Sequence, residues 1–457
     1  MNLKQIMRDF MISKINFTDL IKKFKNSINS KYSFDNSLFK KGNASDKIEG
    51  LKILYISRLF TGLEQTVVEK RWIPTGVPTI YKVIEALDSQ FDLFLVFNQK
   101  RGYYRSKKFN YGKINIKGIK NNVVLNRNII LNIFPKKINN IITELYQLIK
   151  SILIVIKIQP DIIYIDNANV ISASFFSRLS NIPICLRIMG VYPVMKSYYK
   201  SNDTISKFYK YLYSSPFNLI IGTQDGTGTE FWLDQAANKK TIKKILINGV
   251  NKISKNDFNN IDSKKDKIYV GFIGKLEKAK GADLFIDSCI KYLKKRNDIK
   301  FYIIGSGSLF NFLNKKVKNH NLEEAISFYE YLEHAQVYEL FKKLDIYVSL
   351  NKYGNLSNTN LEAISLEKAM IILNSDIKNK TDIFVDSFLP NNSVYRINRN
   401  DIVNSLVKAL TFFSKNPEKL LIYSKNISSI SKKLKSWENR INEEINLLKK
   451  LNEKKRI

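Results

Sequence analysis

The stretch Tyr269-Val-Gly-Phe-Ile-Gly-Lys-Leu-Glu-Lys-Ala-Lys-Gly281 decides how the chain is read. An apolar run from Ile268 to Ile273 predicts a strand and ends in Gly274. Lys275 follows at once, and Lys280 stands just before Gly281 and an apolar-periodic helix marked by Leu284, Phe285, Ile286 and Ile290. A glycine at a strand end lets backbone N–H groups approach a ligand, and two lysines beside such a turn can neutralise a diphosphate. No G-x-x-x-x-G-K-[ST] pattern is present, so this is not a Walker A loop. In a chain this rich in lysine, an ordinary basic strand-turn-helix is the competing reading.

Working outward, strands and helices alternate on both sides of this stretch. Before it, strands are predicted over 51–57, 91–97, 160–166, 182–188 and 217–222, and helices over 75–87, 139–158 and 172–179. After it, strands are predicted over 300–304, 326–329, 345–350 and 370–373, with helices over 281–294, 308–318, 335–342 and 358–369. Such alternation implies parallel strands joined by right-handed crossovers. The expectation is two α/β domains in tandem, 51–250 and 265–415, facing a cleft. Residues 416–457 are expected to form helices that return to the first domain. Residues 1–50 read as a basic, amphipathic or flexible extension.

Three further segments of the second half point at the same ligand. Phe301-Tyr-Ile-Ile-Gly-Ser-Gly-Ser308 is a strand entering a Gly-x-Gly turn at Gly305. Phe310 stands where a dinucleotide fingerprint needs its third glycine, which excludes a nicotinamide or flavin site. Asp345 to Asn351 runs from a buried strand into a polar loop. In Tyr353-Gly-Asn-Leu-Ser-Asn-Thr-Asn-Leu-Glu-Ala363, Ser357 or Asn358 is suited to cap a helix whose positive end, with Thr359, favours phosphate. Glu362 lies one turn into that helix, where a carboxylate can accept hydrogen bonds from a ribose diol or merely complement the helix dipole.

Residues 268–376 resemble the donor domain of glycosyltransferase family 4 (group 1), the retaining GT-B enzymes. Asn248-Gly-Val250 resembles the "N-G-V-D" closing the family's first domain. Thr75-Gly76-Val77 resembles its glycine-rich loop near the donor phosphates. The resemblance implies two Rossmann-like domains and sugar transfer from a nucleotide-sugar substrate without an obligatory metal or other cofactor. It implies that Lys275 and Lys280 act on the diphosphate, that Gly76, Gly274, Gly305, Ser357, Asn358 and Thr359 line the donor site, and that Glu362 holds the ribose. Three departures stand out. Gly354 occupies the place of the family's first motif glutamate, Lys275 replaces a common arginine, and the acceptor-domain histidine has no counterpart. Arg58, Asp166 and Arg187 are the candidate acceptor-side residues. An acceptor that is a glycan or lipid-linked is expected, in surface polysaccharide or glycolipid synthesis. The alternative is a degenerate GT-B protein that binds nucleotide or a partner without turnover.

The 457 residues carry a net charge of +34 from 75 Lys+Arg against 41 Asp+Glu. That field favours anionic partners, an acidic membrane surface among them. Lys-, Asn- and Ile-rich composition from AT-rich codons would produce the same surplus. No nucleic-acid-binding signature accompanies it, and no nucleic-acid partner is expected. Cys185 and Cys289 both sit in apolar runs without metal-ligand spacing. The N-terminus lacks an apolar signal core, and no run approaches the ~20 apolar residues of a membrane span. The expected location is cytoplasmic, with peripheral attachment at the inner face of the membrane.

Overall fold

The computed structural model describes residues 22, 26, 50–100, 109–121, 123–129, 135–251, 266–332 and 334–453. The predicted N-terminal extension therefore lies almost wholly outside the described residues. Two sheets carry the chain. The first has eight strands: β1 (Lys52–Arg58), β2 (Asp92–Asn98), β3 (Gly112–Ile114), β4 (Val123–Asn126), β5 (Ile162–Asp166), β6 (Ile184–Ile188), β7 (Leu219–Thr223) and β8 (Ile242–Leu246). Their order is β3-β4-β2-β1-β5-β6-β7-β8, all parallel except β3 against β4. The second sheet is parallel throughout, in the order β11-β10-β9-β12-β13-β14. It is built from β9 (Ile268–Ile273), β10 (Ile299–Ile304), β11 (Ile326–Tyr329), β12 (Ile346–Ser349), β13 (Ala369–Leu373) and β14 (Tyr395–Ile397).

Central strands such as β5, β6, β12 and β13 are buried along their whole length. Helices cover both faces of the sheet, which is why these strands read as unbroken apolar runs. The helices of the first domain are α1 (Glu64–Glu69), α2 (Pro78–Gln90), α3 (Lys136–Ile158), α4 (Val170–Leu179), α5 (Pro193–Lys200), α6 (Thr204–Tyr213) and α7 (Thr229–Ala236). Those of the second are α8 (Ala282–Leu293), α9 (Phe310–Lys318), α10 (His334–Lys343), α11 (Asn358–Ser365), α12 (Ile383–Phe388), α13 (Ile402–Lys415) and α14 (Glu418–Ser431). The last helix, α15 (Trp437–Glu453), packs Trp437, Ile441, Ile445, Leu448 and Leu451 into the core beneath the first sheet. A parallel bridge between Val250 and Ser436 brings the chain back beside the segment that closes the first domain.

The helix expected over 358–369 stops at Ser365. Glu367 turns left-handed at φ 55°, and its carboxylate accepts hydrogen bonds from Ser428 Oγ (2.8 Å) and Ser431 Oγ (3.3 Å) on α14. The stop is tertiary, because the turn is held by residues far along the chain. No helix among the described residues is long and apolar enough to cross a membrane.

Candidate active site

The candidate residues of the second domain gather at the C-terminal ends of its parallel strands, where the loops after β12 and β13 touch the first domain. Gly274 and Gly305 end adjacent strands β9 and β10. Their two turns are joined by backbone hydrogen bonds from Gly274 N to Ile304 O (2.9 Å), Leu276 N to Ser306 O (2.9 Å) and Leu309 N to Leu276 O (3.1 Å). This pairing fixes the base of the lysine-bearing turn, a 3-10 turn over Lys278–Lys280 closed by Gly281. Lys275 is exposed beside it, and Lys280 is half-buried. Burial pushes the Lys280 ammonium down, Asp225 and Glu277 oppose that, and Lys275 adds to it. Lys280 makes no direct ion pair among the described residues. A desolvated cation beside a like charge gains most when an anion arrives.

Ser357 caps α11, its side chain accepting from Asn360 N, so the helix presents free N–H groups to the cleft. The Asn358 side chain is held by the first domain: Asn248 Nδ2 donates to Asn358 Oδ1 at 2.7 Å. Thr359 sits next to it. Glu362 is half-buried, and its charge, after burial and Glu85, helps raise the Tyr81 hydroxyl on α2 of the opposite domain. Glu362 and α2 therefore lie within electrostatic reach of each other across the cleft. Gly76 packs against Thr61, and Thr75 N donates to Gly62 O (3.0 Å), which fixes the loop leading into α2.

Two acceptor-side candidates belong elsewhere. Asp166 is fully buried. It accepts from Arg58 N (2.9 Å), Ser57 Oγ (3.4 Å) and Asn169 Nδ2 (2.7 Å), and Asn169 Oδ1 in turn accepts from Asn98 Nδ2 (2.8 Å). It ties the strand ends of the first sheet together. Arg187 is also fully buried, donating to Ile188 O (2.7 Å), Ile221 O (3.0 Å) and Thr223 Oγ1 (2.9 Å), with Nε 3.3 Å from Glu444 on α15. Its charge is spent on holding the C-terminal helix, so it does not line the cleft. Arg58 lays its guanidinium over the Phe60 ring at 4.2 Å.

The residues that motif reading missed come from Asp225-Gly-Thr-Gly228, the turn after β7. Leu356 N donates to Asp225 O (3.1 Å) and Asp382 N to Gly226 O (2.7 Å), so this turn is latched onto the second domain. Gly354 shows why it carries no carboxylate. At φ 151°, a Cβ there would stand 2.6 Å from Asp225 O and 2.9 Å from Thr227 N. Gly226 is the mirror case, where a Cβ would meet Asn355 N at 2.8 Å. Only two glycines permit this approach. The Asp225 carboxylate, held by Thr227 N (3.0 Å) and Thr227 Oγ1 (2.6 Å), lies in the field of Lys280. Burial raises its pKa, partly offset by those bonds and by Lys280. Asp382 accepts from Asn355 N (2.6 Å), Asn355 Nδ2 (2.7 Å) and Arg399 (2.6 Å), yet burial still lifts it to about 6. A glycine-rich turn at the C-terminal end of a parallel strand is a recognised ligand position, and that was the available signal. No cluster of three metal-ligating side chains occurs among the described residues.

Residues 253–455 match the family profile described as glycosyl transferases group 1. In structure the chain is similar to a sucrose-phosphate synthase from Thermosynechococcus elongatus, at 14% identity and a TM-score of 0.63 over 88% of this chain and 99% of that one. It is similar to HepE of Anabaena in complex with UDP and glucose, at 12% identity and a TM-score of 0.59 over 88% and 100%. A glycosyltransferase from Rickettsia africae gives 12% and 0.54 over 88% and 99%. No curated protein sequence matches the chain. At such identities the structural likeness is one of fold.

Proposed function

We propose that the chain is a group 1 glycosyltransferase, a nucleotide-sugar-dependent enzyme of GT-B fold, and that it transfers a sugar with retention to a glycan or lipid-linked acceptor. The observation that carries this reading is Lys280, half-buried beside Lys275 and without an ion pair among the described residues, in a turn closed by Gly281. The nucleoside diphosphate would lie across this turn and the first turn of α11. As the bond from sugar to β-phosphate breaks, negative charge builds on the departing phosphate. Lys275, Lys280 and the α11 N–H groups would stabilise that charge from fixed positions, which is where electrostatic catalysis is most effective. Glu362 would hold the ribose, and the departing phosphate would take the acceptor proton on the same face. The Anabaena neighbour's UDP and glucose favour a uridine diphosphate sugar as donor.

Surface polysaccharide or glycolipid synthesis at the inner membrane face is the setting that fits best. Helix α6 turns Ile205, Phe208 and Tyr211 outward, with Lys207 and Lys210 interspersed among them. Apolar side chains flanked by lysines suit an anionic lipid surface. Pelleting with anionic but not neutral vesicles, weakening steeply with salt, is the expected result, and equal pelleting with both would remove this part.

The test of the activity is a panel of UDP, GDP, ADP and CMP sugars, scored for nucleotide release and for the anomeric configuration of the product. One donor should be consumed with retention. The absent side chain at Gly354 favours the second reading, a binding protein without turnover. Tight nucleotide binding with no release from any donor would select it.

A further inference from the structure

A second site lies between the domains, lined by none of the residues assigned to the donor. It is a cavity of about 470 Å³ between α5 of the first domain and the loops after β12, β13 and β14 of the second. Lys196, Lys200, Lys352 and Arg399 face it, against the single carboxylate of Asp376. Arg399 is paired with Asp382 at 2.6 Å. The three lysines have no such partner among the described residues. Lys196 Nζ donates to Asn379 O (2.7 Å) and Thr381 Oγ1 (3.2 Å), and Lys200 Nζ to Asn379 Oδ1 (3.0 Å), all neutral oxygens. Asp376 is itself engaged by Asn379 N (3.0 Å) and Asn379 Nδ2 (2.7 Å). Lys352 is exposed, and its side chain has no hydrogen-bond or ion-pair partner among the described residues. Burial pushes the Lys196 ammonium down, Asp376 and, more weakly, Asp225 and Asp382 oppose this, and Lys200 adds to it. Converging cations held by neutral acceptors leave a positive potential that an anion would satisfy.

The cavity adjoins the transfer centre. Lys352 N donates to Ala279 O (3.1 Å), inside the lysine-bearing turn. On the other wall, Val191 N donates to Thr227 Oγ1 (2.9 Å), and that hydroxyl donates to Asp225. We infer that this cavity is the subsite for a phosphate or diphosphate monoester carried by the acceptor. The inference rests on the donor reading, because the diphosphate of the sugar donor is assigned to Lys275, Lys280 and α11.

The experiment is calorimetric titration of the full-length protein, saturated with whichever nucleoside diphosphate the donor panel identifies. The probes are octyl phosphate, inorganic phosphate and octyl glucoside. One equivalent of octyl phosphate should bind on top of the nucleotide. Lys200→Glu and Lys352→Glu, both at exposed positions, should each weaken it about tenfold or more while nucleotide affinity stays within about twofold. Tighter binding of octyl phosphate than of inorganic phosphate would point to a lipid-linked acceptor, and equal binding to a soluble phosphorylated one. Unchanged affinity in both variants, binding no better than octyl glucoside, or displacement of the phosphate probe by nucleotide would overturn the inference. Failure of every nucleotide to bind would instead strike the donor reading.

Discussion

Two buried charge clusters join distant parts of this chain, and they are built on opposite plans. Around Glu444, every charge is in a direct ion pair. Arg187 and Arg440 flank its carboxylate at 3.3 and 2.7 Å, Tyr164 donates to it, and all three charged side chains are fully buried. Around Asp225 and Asp382, charge is left over. Lys280 feels Asp225 without pairing with it, and Arg399 alone is paired with Asp382. The first cluster pins α15 under the first sheet. The second latches the domains and leaves cations facing the cleft. A buried cluster whose charges are all ion-paired is architecture, while cations left without an ion pair beside a cleft are a place for a ligand.

The contrast breaks most visibly at Glu444. Glu444→Ala leaves two arginines buried with no counter-charge and should cost about 3–5 kcal/mol in urea denaturation. If stability fell by less than ~1 kcal/mol, Arg187 would not be the structural residue described. Lys280→Ala is the opposite case. It should melt with the wild type and lower kcat about 100-fold, the scale of losing one preorganised electrostatic contact. A variant that unfolded, or kept its rate with the true donor, would erase the distinction between the clusters.

Much of this was legible because parallel buried strands read as apolar runs. Ile268–Ile273 and Ala369–Leu373 are such runs; the lysine turn follows the first within a few residues, and α11 follows the buried strand β12 after an eight-residue loop. The edge strand β8 was not legible, since Ile242-Lys-Lys-Ile-Leu246 exposes its lysines as an edge does. Helices α5 and α6 were hidden among tyrosines and lysines. Asp166 and Arg187 misled for a clear reason. A polar residue ending a buried strand looks the same whether its partner is a substrate or another strand, and Glu444 is distant in the chain. Asp225, Asp382 and Lys196 meet only when the domains meet, which no local pattern records.

Glu362→Ala sharpens the comparison on a smaller scale. Ribose binding is felt in ground and transition states alike, so KM for the donor should rise about tenfold, ~1.4 kcal/mol, with kcat little changed. A fall in kcat at constant KM would move Glu362 to the reacting centre.

The carboxylates of the two clusters should also titrate with opposite sign. Burial alone would raise the Glu444 carboxyl, but Arg187 and Arg440 outweigh it and hold it below the ordinary glutamate value. Its stabilisation is therefore present above that value and lost as pH falls through the lowered one. Asp382 is raised from 3.8 to about 6. Its contribution is present below the unfolded value and fades as pH rises towards about 6, with a slope under ~1.4 kcal/mol per pH unit. Asp382→Asn should flatten the stability profile between about pH 4 and 6, and an unchanged slope there would show that Asp382 is ionised throughout.

The most direct test is nucleoside diphosphate binding to the wild type and to Lys280→Ala, by thermal shift and calorimetry. One of UDP, GDP, ADP or CDP at ~100 times its dissociation constant should stabilise the wild type by about 2.7 kcal/mol. The variant should bind it at least about tenfold more weakly while melting unchanged without ligand. A wild type that none of the four stabilises, or a variant that binds as tightly as its parent, would contradict the donor site at Lys275, Lys280 and α11.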